Sequence, residues 1–389
     1  MTTDPIVTAR VGTTASLPRG RQWLAAVCLA VAGLVVSLAA LEVGIRFIAP
    51  QDLRFFDWTS IKRPSQKTGR AYEYIPGGQN PRYLGAPVSI NRLGLRDGEI
   101  TVPKPAGTVR LVAVGDSVTF GYGVRLEDTW VKVLERRLNA TGGRRYEVVN
   151  AGVEETGIEY YESFTRTEAA PLQPDLVLVG ITLNDVRWYR RNERPVDQSF
   201  RASALRRART ANATLVLHSH LYLASYLSLK SVLYGLGLID VNRAHAYDFA
   251  ALVNPSPEQD RAWESTETHL RATIDAARGH GWPIAFVVFP VEPQLGPDAA
   301  ELYRRRLGMV ISRGAEAGEP QRRLARFFSG QDVPMLDLMP AYRNRGDVFL
   351  RNAAISHDPV HPSPIGHALS GDAIHRFLEH ARVLPKGAQ

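Results

Sequence analysis

Leu111-Val-Ala-Val-Gly-Asp-Ser-Val-Thr-Phe-Gly-Tyr-Gly123 is the stretch on which the reading of this chain turns. Val109 to Val114 is apolar apart from Arg110 and is bounded by turn residues, the pattern of a short buried strand. It ends on Gly115-Asp116-Ser117, and a helical pattern starts near Glu127. A serine at the point where a central parallel strand stops lies on the carboxyl edge of a sheet, where open α/β folds hold their ligands. Two common motifs do not fit. The Gly-x-Ser-x-Gly elbow has Thr119 in its last position, and the phosphate loop needs a lysine that follows neither Gly121 nor Gly123. Alone, Gly-Asp-Ser is equally a turn with Ser117 as a helix cap. The rest of the chain decides.

Downstream, strand and helix patterns alternate, as they do in a parallel sheet with crossover helices. A helix is expected over Glu127–Asn139, with Trp130, Val133 and Leu134 on one face. Strand Tyr146–Asn150, helix 159–170 and strand Leu176–Gly180 follow. Helix Glu258–Arg278 precedes strand Ile284–Val288, helix Gln321–Phe328 precedes strand Val333–Leu338, and a last helix covers Ala368 to Arg382. Between them, residues 187–256 lose periodicity. The apolar segment Leu215 to Leu238 within them is broken by His218, His220 and Lys230, so it reads as a docked cap helix rather than a second membrane span.

Five stretches then stand where strands meet loops: Gly115-Asp116-Ser117, Asn150-Ala-Gly152, Gly180-x-x-x-Asn184-Asp185, Asp337, and Asp358-x-x-His361. A serine nucleophile needs a base, a group that orients the base, and donors for the oxyanion. Ser117, His361 and Asp358 supply the first three roles, and the three-residue step lets one turn carry both Asp358 and His361. The donors would be the Ser117 amide, an amide after Gly152, and the Asn184 side chain. Each residue has a plainer reading: Asp358 as a turn cap, Asn184-Asp185 as a helix start, His357 as a rival base. Asp116 and Asp185 read as structural, His367 and Asp337 as packing or capping residues. His218-x-His220 has metal-pair spacing with no third ligand, so neither metal nor cofactor is assigned.

On these residues the chain resembles the SGNH, or GDSL, hydrolase family, which implies an α/β fold: a three-layer α/β/α sandwich around a parallel sheet. Gly-Asp-Ser117 matches the family's first block, Gly-x-x-x-Asn184-Asp185 its third, and Asp358-x-x-His361 its last. The second block departs. After Asn150-Ala-Gly152 such sequences commonly continue Val-Pro-Gly, whereas here Val153-Glu154-Glu155 follows. The oxyanion amide would fall on Glu155, unless Gly157 substitutes, and the Glu155 carboxylate would have to point away. The resemblance spans residues 108–383. Segment 88–97 and the N-terminus resemble a membrane-anchored branch of the family.

That N-terminus is polar over residues 1–22, with Arg10, Arg19 and Arg21 against Asp4. Nineteen uncharged residues, Trp23 to Leu41, follow. At about 1.5 Å per residue they match the roughly 30 Å of bilayer hydrocarbon. They lack the polar face of a buried soluble helix and exceed the apolar core of a cleaved signal peptide. The expected order is a cytoplasmic tail (1–22), a transmembrane anchor (23–41), a juxtamembrane segment (42–107) with a short strand at Val88 to Asn91, and an extracytoplasmic hydrolase domain (108–383) with its insertion (187–256). The basic flank orients the anchor.

Composition agrees with one sizeable core: 44% hydrophobic and 22% charged residues are ordinary for a globular protein. The net charge of +8 comes from scattered arginines without any nucleic-acid-binding motif, so no nucleic-acid partner is expected. Cys28 alone excludes a disulfide framework. The resemblance implies a serine esterase acting through an acyl-serine, on acetyl or short acyl esters of an envelope glycan or lipid. Its partners would be an ester-bearing small molecule, lipid or glycan, and the membrane through residues 23–41. An O-acyltransferase on a surface polysaccharide, or a non-catalytic anchored binding module, are the alternatives.

Overall fold

The computed structural model describes residues 19–140, 142–187, 211–212, 214–235, 250–307, 311–343, 345–351 and 358–384. Two short antiparallel hairpins come first, β1 (Lys62–Pro64) with β2 (Tyr72–Tyr74) and β3 (Gln79–Tyr83) with β4 (Ala86–Ser89). The main sheet follows: β5 (Thr108–Gly115), β6 (Arg145–Gly152), β7 (Leu176–Thr182), β8 (Ile284–Phe289) and β9 (Met335–Asp337). Its order is β6-β5-β7-β8-β9, and every pair is parallel. The chain leaves β5 to one side and returns on the other through β7. The carboxyl end of β5 is therefore a topological switch point, the place where such sheets bind ligands.

Every residue of β5, β7 and β8 is buried, which explains their unbroken apolar runs. Each fully buried Val, Leu or Phe there contributes about 1.5–3 kcal/mol of transfer energy. Arg110, the apparent blemish in β5, is fully buried and fully occupied. Its guanidinium reaches Glu147 at 2.6 Å and the carbonyls of Leu172 and Thr101 at 2.9 and 2.8 Å. Helices flank the sheet in the expected layers: Trp130–Ala140 packs on Pro364–Ala381, and Ile158–Thr167 packs on Pro257–Gly279. The first of these starts at Trp130 rather than Glu127 because Leu126–Asp128 forms a separate 3-10 turn, after which Thr129 is extended.

The expected juxtamembrane segment packs into the domain core rather than serving as a spacer alone. Tyr74, Tyr83, Val88, Ile90 and Leu95 join the same hydrophobic core as the sheet. Arg96, 1% exposed, donates to the carbonyls of Phe120 (2.8 Å) and Val124 (2.6 Å), and to that of Gly121. Asp97 accepts from the Asn150 amide at 2.8 Å and pairs with Lys132 at 2.7 Å. The N-terminal stretch therefore braces the loops after β5 and β6.

The apolar span forms one helix, Arg19–Ile48, long and apolar enough to cross a membrane and exposed throughout residues 20–41. Just beyond the uncharged run, Glu42 accepts hydrogen bonds from Ser219 Oγ (2.7 Å) and from the His220 and Leu221 amides (3.0 and 2.9 Å). It thereby caps helix His220–Gly235, the described part of the expected cap helix. The rest of the insertion lies largely outside the described residues.

Candidate active site

Three glycines seat Ser117. Gly115, Gly152 and Gly180 end or nearly end β5, β6 and β7, and share one register across the sheet. A Cβ on Gly152 would fall 2.1 Å from the Phe120 nitrogen, and one on Gly115 would fall 2.0 Å from Thr119 Oγ1. One on Gly180 would meet the same Thr119 atom at 2.8 Å. Only a row without side chains lets the short helix Ser117–Phe120 press against the sheet. Asp116 caps it, its Oδ1 accepting from the Val118 amide at 2.9 Å, and Gly121, at φ +89°, ends it in the left-handed region. Ser117 is thereby held at the end of β5.

Ser117 Oγ lies 2.8 Å from His361 Nε2, and His361 Nδ1 lies 2.7 Å from Asp358 Oδ2. The other Asp358 oxygen accepts from the Val360 and His361 amides, both at 2.9 Å, so one carboxylate fixes both the backbone and the ring of the turn. Tyr122, from the loop after the nucleophile, stacks on the imidazole with centroids 4.0 Å apart. Burial disfavours the His361 cation, yet the Asp358 charge and hydrogen bond outweigh it and hold the imidazole above its ordinary pKa. Burial likewise works against the Asp358 anion, but His361 and the two amides keep that carboxyl below its usual range. A serine, a histidine whose acceptor nitrogen faces it, and a carboxylate behind form a proton relay.

Asn184 stands on the turn Leu183–Asp185 after β7. There the Asp185 carboxylate takes the Thr182 amide (3.0 Å) and the Tyr161 hydroxyl (2.6 Å). Burial raises the Asp116 carboxyl, and burial together with Asp116 raises that of Asp185 well above the ordinary range. Both serve the loop architecture. Asn184 Oδ1 is buried without a hydrogen-bond partner among the described residues.

On the third side, Val153 donates to the Gly115 carbonyl at 3.0 Å and Glu154 to Tyr74 OH at 3.2 Å. Glu155 and Gly157 spend their amides on no protein acceptor among the described residues. Glu155 sits at φ +58°, a left-handed conformation that glycine takes readily and glutamate does not; Gly157 is extended at φ −167°. The Glu155 side chain is 77% exposed, and its carboxylate lies 4.0 Å from the Lys62 ammonium.

His357 lies outside the described residues. His367 is a core residue: its Nδ1 accepts from the Trp130 amide at 3.2 Å, and burial drives its pKa down to about 3. Asp337 caps Met339 at 2.8 Å. His220 Nδ1 accepts from the Gln51 amide at 2.8 Å, while His218 Nδ1 lies 2.8 Å from the Thr214 carbonyl oxygen. Among the described residues no cluster of His, Cys, Asp or Glu has metal-ligand geometry. Sequence reasoning missed Tyr122, and it placed Gly115, Gly152 and Gly180 at strand ends without their joint role as a bed for the Ser117 helix. The signal for Gly115 and Gly180 was the apolar run that each ends or nearly ends, whereas Gly152 follows Asn150-Ala151.

Residues 113–369 match the family described as GDSL-like lipase/acylhydrolase. The chain belongs to that family. It is a serine hydrolase that cleaves ester bonds. No curated protein matches the hydrolase in sequence. Solved structures similar to it include a putative lipolytic protein of the G-D-S-L family from Desulfitobacterium hafniense DCB-2, at 16% identity and TM-score 0.37, covering 69% of this chain and 99% of that one. A catalytic mutant of an acetylxylan esterase from Geobacillus stearothermophilus matches at 16% identity and TM-score 0.39, covering 69% and 94%. A lipase/acylhydrolase from Enterococcus faecalis matches at 16% identity and TM-score 0.40, covering 72% and 100%.

Proposed function

We propose that this hydrolase is a single-pass membrane protein whose extracytoplasmic domain cleaves acetyl or short acyl esters of an envelope glycan or lipid, with Ser117, His361 and Asp358 as its triad. The unbroken relay of 2.8 and 2.7 Å from Ser117 through His361 to Asp358 carries the reading. Ser117 Oγ attacks the ester carbonyl carbon as its proton passes to His361 Nε2. The carbonyl electron pair moves onto oxygen, where the Ser117 amide, the Asn184 side chain and the Glu155 or Gly157 amide receive it. Collapse of this intermediate expels the alcohol, which takes the proton from His361 and leaves an acyl-serine. Water, deprotonated by His361, repeats the attack; the acyl carbon–Oγ bond then breaks, His361 returns the proton to Ser117 Oγ, and the acid leaves. Asp358 holds the imidazole in the tautomer that keeps Nε2 free to accept.

The membrane assignment is supported by the exposed apolar helix and by Glu42, which ties its outer end to the insertion. With the domain on a tether, esters of the envelope itself are the substrates within reach.

The test uses the full chain in detergent or nanodiscs with p-nitrophenyl esters from acetyl to dodecanoyl, beside Ser117→Ala and His361→Ala. Turnover lost in both variants, with an acyl adduct on Ser117 by mass spectrometry, supports the reading, and a short-chain optimum supports its substrate class. A wild-type chain that neither turns over nor forms an adduct overturns it in favour of a binding module. An adduct released by a sugar hydroxyl and not by water makes the enzyme an acyltransferase.

A further inference from the structure

The loop that follows β6 carries the one departure from the family's blocks, and a buried ion pair lies directly behind it. Lys62 Nζ, from β1, sits 2.9 Å from Glu154 Oε2, and the two side chains are 4% and 3% exposed. Taking both charges out of water is costly, and such a pair persists only where the remaining polar atoms are satisfied. Here tyrosines do this. Tyr74 OH lies 3.3 Å from Glu154 Oε2 and Tyr83 OH 3.4 Å from Oε1. The lysine ammonium stands over the rings of Tyr72 and Tyr83, 4.2 and 5.3 Å from their centroids.

The same residues grip the loop's backbone. Tyr72 OH donates to the Glu154 carbonyl, and Tyr74 OH accepts from the Glu154 amide at 3.2 Å. Residue 154 is thus fixed at its amide, its carbonyl and its carboxylate. The flanks of the loop are held by other means: Val153 by the Gly115 carbonyl, and Thr156 by Arg187, which donates to its carbonyl at 3.0 Å. Glu155 sits between these fixed points, in a backbone conformation that a glutamate does not hold unaided.

We propose that the Lys62–Glu154 pair, with Tyr72 and Tyr74, is a positioning device that holds Glu155 in its left-handed conformation and so aims the Glu155 amide at the oxyanion. Glycine at this position adopts the conformation without help; this chain supplies the help from the N-terminal hairpin. The inference rests on the assignment of Ser117 and His361 given above, and it selects Glu155 over Gly157 as the loop's donor.

The pair also gives the device a signature that ordinary packing lacks. Against the effect of burial, Asp358 and then Asp116 raise His361, and Glu154 adds a smaller contribution of the same sign. Tyr122 stacks on the ring, Ser117 faces Nε2, and His361 in turn lowers buried His367. Arg187 acts on Asp116 and Asp185, and Arg96 feels Glu154 from the other side.

Two near-isosteric changes in the full chain test this, with Ser117→Ala beside them. Tyr72→Phe removes the grip on the Glu154 carbonyl without altering charge. It should lower kcat about 10- to 100-fold, part of what a lost oxyanion donor costs, with KM within about twofold and the acid limb of kcat/KM in place. Glu154→Gln should lower kcat similarly and also move that limb to lower pH, because His361 loses an anion that raises it. Unchanged kcat in both variants, a loss confined to KM, or a limb that stays put in Glu154→Gln would overturn the proposal. A wild-type chain without Ser117-dependent turnover overturns the esterase reading instead. The His361 titration, followed by NMR of histidine-labelled protein, still reads the effect of Glu154→Gln there, and an unmoved midpoint would sink the electrostatic half.

Discussion

Ser117 and His361 meet at 2.8 Å, but they are held there by opposite means. The serine is positioned by the sheet: three glycines from three strands, far apart in sequence, leave a bed into which its helix fits with no room to spare. The histidine is positioned locally, by a carboxylate three residues away that takes two backbone amides and one ring nitrogen. The first seat is steric and long-range, the second polar and short-range. A steric seat fails as folding fails. A polar seat fails as chemistry fails.

Gly152→Ala should show the first behaviour most strongly. A methyl 2.1 Å from the Phe120 backbone nitrogen has no flexible neighbour to displace, so the cost should exceed about 3 kcal/mol. Thermal melting and activity should fall together, and a variant that melts like the wild type would show that the bed is looser than its geometry. Asp358→Asn should show the second behaviour. We expect kcat to drop roughly 10⁴-fold through loss of the correct tautomer, with little change in melting temperature.

The pH profile sharpens the same contrast. His361 must be neutral to accept the serine proton, and Asp358 holds its pKa above the usual histidine value. The acid limb of kcat/KM should therefore lie above about pH 6.5 in the wild type. In Asp358→Asn the raising charge is gone, and the limb should shift to lower pH. A limb that moves upward would mean that another group controls it.

Tyr122 joins the two seats, since it leaves the nucleophile loop and stacks on the imidazole. Tyr122→Ala should cost about tenfold in kcat/KM, in line with about 0.5–1.5 kcal/mol for a ring pair. The smallest effect is expected at the strained loop. Glu155→Gly relieves a left-handed glutamate but loosens the unfolded chain, for a net gain near 0.5–1 kcal/mol in denaturant unfolding.

How much of this was legible in the sequence follows from the same division. β5, β7 and β8 announce themselves because strands buried on both faces are written as continuous apolar runs. Even Arg110 did not hide β5; its partners lie on a neighbouring strand and on preceding and following loops, which no local pattern displays. β9 is only Met335–Asp337, shorter than the expected Val333–Leu338, because its edge position leaves it half-buried and pairing ends early. Asp358 and His361 were readable as a pair because three residues contain their whole geometry. In residues 62–97 only a strand at Val88 to Asn91 was expected, which forms as Ala86–Ser89; the packing role of the segment was not readable, since Tyr74 and Tyr83 find Glu154 at 80 and 71 positions away. Lys62 and Glu154 are the extreme case, an ion pair whose members no spacing rule connects.

The glycine row also sets the limits within which this hydrolase can be altered. At Gly115, Gly152 and Gly180 even one added carbon collides with the nucleophile turn or its immediate supports. A mutational library aimed at substrate preference should therefore treat these three positions as silent: clones altered there drop out before any ester is offered to them. The diversity worth sampling lies instead at exposed positions such as Glu155, whose side chain meets solvent while its neighbours Val153, Glu154 and Thr156 are buried, so that the mould that shapes the serine is left untouched.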